Sequence, residues 1–233
     1  MTDYNSPDIK ASLFDRKITC PICGNEFTTK SVKVNSVRIA SKDSDFFVRY
    51  KTGNPYLYDI WTCEKCGYTA MKSDFDKIKS FEKDILKEQL LPKWKERHFN
   101  EIMTPSDALE KYKLALINAS ILGRSKGTLG FILLRIAWMY RLEEDEEKEN
   151  HFLTQSVKCF EEAFSTEPFP IYGLQRDSLT YLIGDLYRRI GEYDKALTWY
   201  SNVITTVGAN YKFKEMARNG RDMIKEMKLQ KNA

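Results

Sequence analysis

A chain of 233 residues with 42% hydrophobic and 30% charged residues is long enough to bury one large or two modest cores, which excludes general disorder. Its 37 Lys and Arg against 33 Asp and Glu leave a formal charge of +4, with 11 basic and 9 acidic residues in the first 75, far from the basic excess that phosphate-backbone binding normally requires. No run approaches a membrane span, and Met1 to Ser12 lacks the basic start and apolar core of a signal peptide, so a cytoplasmic protein with no membrane partner and a flexible N-terminus over residues 1–13 is expected.

The first chemistry-bearing feature along the chain is Cys20-Pro21-Ile22-Cys23-Gly24, answered by Cys63-Glu64-Lys65-Cys66-Gly67. Two sulfurs separated by two residues reach one ion from a tight turn, and the glycine after each pair permits the backbone conformation that such a turn needs. Four thiolates in two such pairs predict a closed tetrahedral site, with one structural zinc held by Cys20, Cys23, Cys63 and Cys66; the donor set suits iron as well. A thioredoxin-like redox motif would instead open a helix after a strand, and the symmetry of the two pairs argues against disulfides. Four thiolates and a divalent ion sum to two negative charges, which brings the formal +4 to about +2. The fifth cysteine, Cys159, lies in an apolar helical stretch and reads as a small buried hydrophobe.

Between the knuckles the pattern is extended. Val32, Val34, Val37 and Ile39 alternate with one interruption, as in a half-buried strand with a bulge, and Phe46–Tyr50 and Tyr56–Trp61 read as two more strands around a Gly-Asn-Pro turn. A small antiparallel zinc-ribbon-like β domain over 14–75 is therefore expected, too small for much core without its metal. The polar residues Asp43, Asp45, Arg49, Asn54 and Asp59 form a possible cluster of this head. They could hold a divalent ion or a general base with an anion clamp. The plainer reading has Asp45 and Asn54 capping turns, Arg49 pairing with a carboxylate, and Phe46, Tyr50, Tyr56, Tyr58 and Trp61 forming the core.

From Phe75 the period becomes helical, with Phe75, Ile78, Phe81, Ile85 and Leu86 on one face until Pro92, and an all-α domain is expected over 76–233. Lys79, Lys83 and Lys87 line the polar face, which Glu82, Asp84 and Glu88 interrupt, so a solvated exterior is expected over a membrane surface. Gly184, Tyr187, Ala196 and Tyr200 stand at offsets that resemble a tetratricopeptide repeat. A weaker copy is read with Ala137 and Tyr140 on its first helix and Ser156, Phe160, Ala163 and Pro168 on its second, lengthened by seven residues around the acidic run Glu143–Glu149. In this register Arg141, Arg188 and Arg221 follow Ala137, Gly184 and Ala217 by four residues each and would make a cationic ladder for acidic side chains or a terminal carboxylate.

The CPxCG knuckle, Asp43-Ser-Asp45-Phe with Arg49-Tyr50, Asn54-Pro55, Tyr58-Asp59 and the second CxxCGY knuckle resemble the bacterial domain-of-unknown-function family 2225, over residues 14 to 220. The resemblance implies a bacterial cytoplasmic protein with a metal-binding head and a helical tail, and implies no activity. The class expected is thus α+β, a β head followed by helical repeats. No nucleophile with its base, no phosphate loop and no histidine cluster is present, His98 and His151 being the two histidines. The expected function is a non-enzymatic zinc-stabilised adaptor that binds a protein or peptide in a helical groove; the alternative is nucleic-acid binding by the head, near Arg38, Lys42, Arg49 and Lys51.

Overall fold

The computed structural model describes residues 4–231, in two compact units. The first comprises the residues up to Lys42, Val48–Arg124 and Trp138–Asp145, and the second comprises Asp43–Phe47, Ser125–Ala137 and the residues from Glu146 onwards. The class is α+β, as the change of periodicity indicated. That change near residue 75 does not coincide with the division into units, because the helices that follow it pack in the first unit. Of the N-terminal stretch expected to be flexible, residues 1–3 lie outside the described residues; Pro7–Ala11 form a short helix, α1, and the Ser12 hydroxyl donates to the Ile9 carbonyl at 2.6 Å.

The first unit carries three antiparallel hairpins: β1 (Leu13–Thr19) with β2 (Glu26–Val32), β3 (Arg38–Lys42) with β4 (Val48–Thr52), and β5 (Ile60–Thr62) with β6 (Thr69–Met71). The single small sheet expected here is three separate ladders. The alternation from Val32 to Ile39 is not one bulged strand: Val32 ends β2, Val34–Ser36 form a single 3-10 turn, and β3 begins at Arg38. A turn of three residues and a bulge interrupt a period of two in the same way, so periodicity alone does not separate them. The Tyr56–Trp61 strand is also shorter than expected, because Pro55–Leu57 turn under a cap in which the Asn54 Oδ1 accepts the Tyr56 N–H at 3.0 Å. Tyr56, Tyr58 and Trp61 are buried, and the Tyr58 hydroxyl accepts the Met103 N–H at 3.1 Å.

This unit also contains the helices α2 (Ser80–Gln89) and α3 (Pro105–Ile121). α2 buries Leu86, as the apolar period indicates, but turns Glu82 inward in place of Phe81. Phe81 is 60% exposed, whereas Glu82 is 4% exposed and takes two guanidinium N–H groups from Arg124 at 2.6 and 3.2 Å and the Lys79 N–H at 2.8 Å. A carboxylate with three charge-assisted or backbone donors tolerates burial that an unpaired one would not. α3 opens on a capping box: Thr104 Oγ1 accepts the Asp107 N–H and Asp107 accepts the Thr104 N–H, with Pro105 at the first helical position. Its buried Asn118 donates to the Gly67 carbonyl and accepts the Thr69 N–H, both at 3.4 Å, which ties α3 to β6.

The second unit is built from the first part of α4 (Lys126–Leu142), then α5 (Glu146–Thr166), α6 (Arg176–Arg189), α7 (Tyr193–Thr205) and α8 (Tyr211–Lys231). α6 is central, buried from Ser178 to Arg188 because α5, α7 and α8 all pack on it. Gly184 makes this possible: a Cβ there would lie 2.9 Å from the Tyr200 ring, and one at Gly220 of α8 would lie 2.5 Å from the same side chain. Glu161 of α5 accepts the Tyr187 hydroxyl and the Trp199 indole N–H, at 2.5 and 3.1 Å. The earlier helix pair repeats the glycine contact with Gly130, whose Cβ would meet Phe160 at 3.0 Å and whose carbonyl accepts the Ser156 hydroxyl at 2.8 Å. Gly130, not Ala137, is therefore the counterpart of Gly184. Gly130 to Ser156 is 26 steps where Gly184 to Ala196 is 12, so fourteen residues are added rather than seven, about two turns on each helix. Part of the acidic run, Glu146, Glu147 and Glu149, occupies the first turn of α5, where carboxylates offset the helix dipole.

Candidate metal centre

Each knuckle is the tip of a hairpin. β1 leads into Cys20 and β2 begins at Glu26; β5 leads into Cys63 and β6 begins at Thr69. The two tips share one hydrogen-bond pattern. The Cys20 N–H donates to the Asn25 carbonyl at 2.8 Å and the Gly24 N–H to the Cys20 carbonyl at 2.9 Å, and the Cys63 N–H donates to the Tyr68 carbonyl at 2.9 Å and the Gly67 N–H to the Cys63 carbonyl at 2.8 Å. Gly24 and Gly67 have φ of 71° and 77°, the left-handed region that favours glycine.

The four Sγ atoms lie within 4.8 Å of one another, with Cys20 to Cys66 and Cys23 to Cys63 both at 3.6 Å. Tetrahedral coordination with metal–sulfur bonds of about 2.3 Å implies sulfur–sulfur edges of about 3.8 Å, so the donors fit one ion. Hydrogen bonding among the sulfurs pushes the Cys20 thiol up and holds Cys63 well below the ordinary thiol range, one thiolate being stabilised at the expense of the next. A divalent cation favours the thiolate form at all four sulfurs, leaving two net negative charges. Cys20, Cys63 and Cys66 are at most 3% exposed, Cys23 is exposed, and Asn25 Nδ2 points to the Cys63 sulfur at 3.9 Å.

Around the sulfurs pack Trp61, Tyr68, Phe75, Leu86 and Leu90, with Tyr68 and Phe75 ring centroids 4.8 Å apart and the Tyr68 hydroxyl donating to the Phe75 carbonyl. Trp94 covers the second knuckle: its indole N–H donates to the Glu64 carbonyl at 2.7 Å, and a Cβ on Gly67 would lie 2.4 Å from its ring. This contact distinguishes the two glycines. Gly67→Ala combines a left-handed backbone with a clash and is expected to cost about 2–4 kcal/mol. At Gly24, where a Cβ meets nothing within 4 Å, alanine is expected to cost about 1 kcal/mol from the backbone alone. Denaturant midpoints of the two variants measure the difference, and equal losses would refute it.

The polar residues of Asp43 to Asp59 are divided between the two units. Asp43 and Asp45 belong to the second unit, and Arg49, Asn54 and Asp59 to the first. Asn54 caps the Pro55–Leu57 turn, the Asp59 carbonyl accepts the Lys72 N–H, and Arg49 lies exposed on β4. Asp45 is fully buried and accepts the Phe47 N–H at 3.4 Å, as a turn cap, and Arg189 lies 3.3 Å from it. Phe46 is likewise not part of the head's core: it packs on Tyr181 and Phe213, with centroids at 5.6 and 6.0 Å. In the second unit Ser44 donates to Asp185 at 2.8 Å and accepts from Arg188 and Arg189 at 2.9 and 3.2 Å, while Tyr200 and Arg188 both donate to Asp185. Arg188 is thus 7% exposed and directed at Asp185 and Ser44. Arg141 is 9% exposed in the first unit, and with Gly130 as the counterpart of Gly184 it does not share the register of Arg188. Arg221 is half-buried on α8, its Nε without a hydrogen-bond partner among the described residues. Cys159 lies on α5 in the second unit, and His151 pairs with Gln155 on the exposed face of α5.

The chain matches the model of family DUF2225, described as an uncharacterised protein conserved in bacteria, over residues 13–224, and belongs to that family. It is also similar to an uncharacterised protein of Borreliella burgdorferi, 26% identical over 168 residues, a match that covers 64% of this chain and 60% of the relative. No solved structure matches. No helix among the described residues is long and apolar enough to cross a membrane.

Proposed function

We propose that this member of the family is a non-enzymatic adaptor, its first unit stabilised by one zinc ion on the four cysteines and its second unit serving as a groove for a peptide of a protein partner. Four thiolates in closed geometry leave no position for substrate, so the ion supplies structure and not chemistry. The observation that carries the peptide reading is an open cavity of about 510 Å³ in the second unit, lined by Phe164, Arg176, Thr180, Asn202, Val203 and Val207. Arg176 is held over the rings of Phe164 and Phe169, with centroids at 5.1 and 4.4 Å, and Val207 is 96% exposed at the rim. A fixed guanidinium beside apolar surface suits an acidic or terminal carboxylate followed by an apolar side chain.

A second reading has its own observation. β3 is exposed along its whole length, and the β3–β4 hairpin presents Arg38, Lys42, Arg49 and Lys51, a surface of the kind that contacts single-stranded nucleic acid. Affinity capture of the intact protein from its own cells, with nuclease, separates the two. A protein that survives nuclease and is lost from an Asn202→Asp, Val207→Asp variant is the expected result. Retention by that variant would remove the groove, and recovery of nucleic acid with steep salt dependence would move the function to the hairpin.

A further inference from the structure

A second cavity, of about 350 Å³, lies within the first unit, between the β1–β2 hairpin, the second knuckle and the start of α3. Its wall includes Lys111, a lysine only 7% exposed. Lysines are almost never buried to this degree without a partner. Among the described residues Lys111 makes no hydrogen bond and no ion pair; its ammonium stands 4.9 Å from the Phe99 ring centroid. The other charges of the wall are engaged. Lys30 holds both Asp15 and Glu101, at 2.6 and 3.2 Å. Both oxygens of Glu64 are occupied, one by the Phe99 N–H at 2.9 Å and the other by His98 Nδ1 at 2.7 Å.

We propose that this cavity binds a small organic anion through a single carboxylate seated on Lys111. A buried cation with no carboxylate in direct contact is costly, and a ligand that seats one negative charge on it lowers that cost. Only one charge fits. Asp15, Glu64 and Glu101 around the same wall repel a phosphate or a tricarboxylate, while Thr28, Thr29 and Thr62 offer hydroxyls to the polar remainder of a small acid. The volume is at the lower end for ligand sites, which limits the occupant to a small metabolite. Burial also brings the Lys111 amine down to about 8 from 10.5, against the pull of Glu64, Asp107 and Glu110, so that a bound carboxylate would strengthen the charged form. This site rests on neither the zinc nor the groove reading.

The test uses the intact protein labelled with ¹³C at lysine Cε, titrated at constant pH and ionic strength with acetate, lactate and benzoate, and with phosphate and citrate for comparison. The expected result is a saturable shift of the Lys111 resonance by at least one monocarboxylate, accompanied by protection of Lys111 from acetylation by acetic anhydride. Lys111→Met, which keeps length without charge, is expected to bind that acid at least about tenfold more weakly by calorimetry. If the variant does not fold, resonance shift and protection in the wild type still decide. No response of Lys111 to any monocarboxylate, or a stronger response to phosphate or citrate, overturns the proposal.

Discussion

Serine in place of Cys63 is expected to abolish metal retention and to remove the cooperative unfolding of the first unit. Cys63 is fully buried among Trp61, Tyr68 and Phe75, and its sulfur faces those of Cys23 at 3.6 Å and, within the same cluster, Cys20 and Cys66. A structural zinc site contributes on the order of 10–16 kcal/mol of apparent binding free energy, against about 5–15 kcal/mol for the net stability of a whole domain. The β1–β2 and β5–β6 ladders have two strands each, and an isolated two-stranded hairpin is marginal, so a shared ion would hold their tips in one place. The measurement is metal content per chain, by elemental analysis, beside thermal unfolding with and without a chelator. Chelation should lower the melting temperature of the wild type and leave Cys63→Ser unchanged. Cys159→Ser, on α5 in the other unit, should retain its ion. A Cys63→Ser variant with full metal content and an unaltered melt would show that the four sulfurs are not one site.

The four-cysteine cluster was legible because its signal is local: ligand spacing and the following glycine are properties of five residues, repeated twice. The contact of Gly184 with Tyr200 was legible for a similar reason, a fixed offset within one helix pair. What the sequence did not disclose lies in pairings across long separations. Trp94 closes on Glu64 from 30 residues away, Arg124 on Glu82 from 42, and Ser44 on Asp185 from 141. Hydrophobic periodicity assigns every carboxylate to solvent, so it marks Leu86 correctly but puts Phe81 inside in place of Glu82, and it gives no sign that Lys111 is enclosed. In the earlier helix pair Ala137, one heptad after Gly130, is nearly as small as a glycine, so spacing alone does not separate the two, and the contact of Gly130 with Phe160 does.

Asparagine in place of Asp185 is expected to destabilise the second unit by about 3–5 kcal/mol, because the shape is kept while the buried cation beside it loses its counter-charge. Asp185 is fully buried and binds Arg188 through Nε and Nη2 at 3.0 and 2.9 Å, Arg189 at 3.3 Å, the Tyr200 hydroxyl at 2.9 Å and the Ser44 hydroxyl at 2.8 Å. Burial and the Asp185 charge push the Tyr200 phenol well above its ordinary range, so that it remains a donor at any working pH. Ser44→Ala, which removes one neutral member, should cost about 1–2 kcal/mol. The decisive comparison is the double variant Asp185→Asn, Arg188→Met. If the loss in Asp185→Asn comes mainly from a stranded guanidinium, removal of that guanidinium should restore part of it, and the double variant should lose clearly less than the two single variants together. Equilibrium denaturation of the three proteins provides the cycle. Additive losses would mean that Asp185 acts through packing and its tyrosine and serine bonds alone, and that the charges of α6 contribute nothing as a pair.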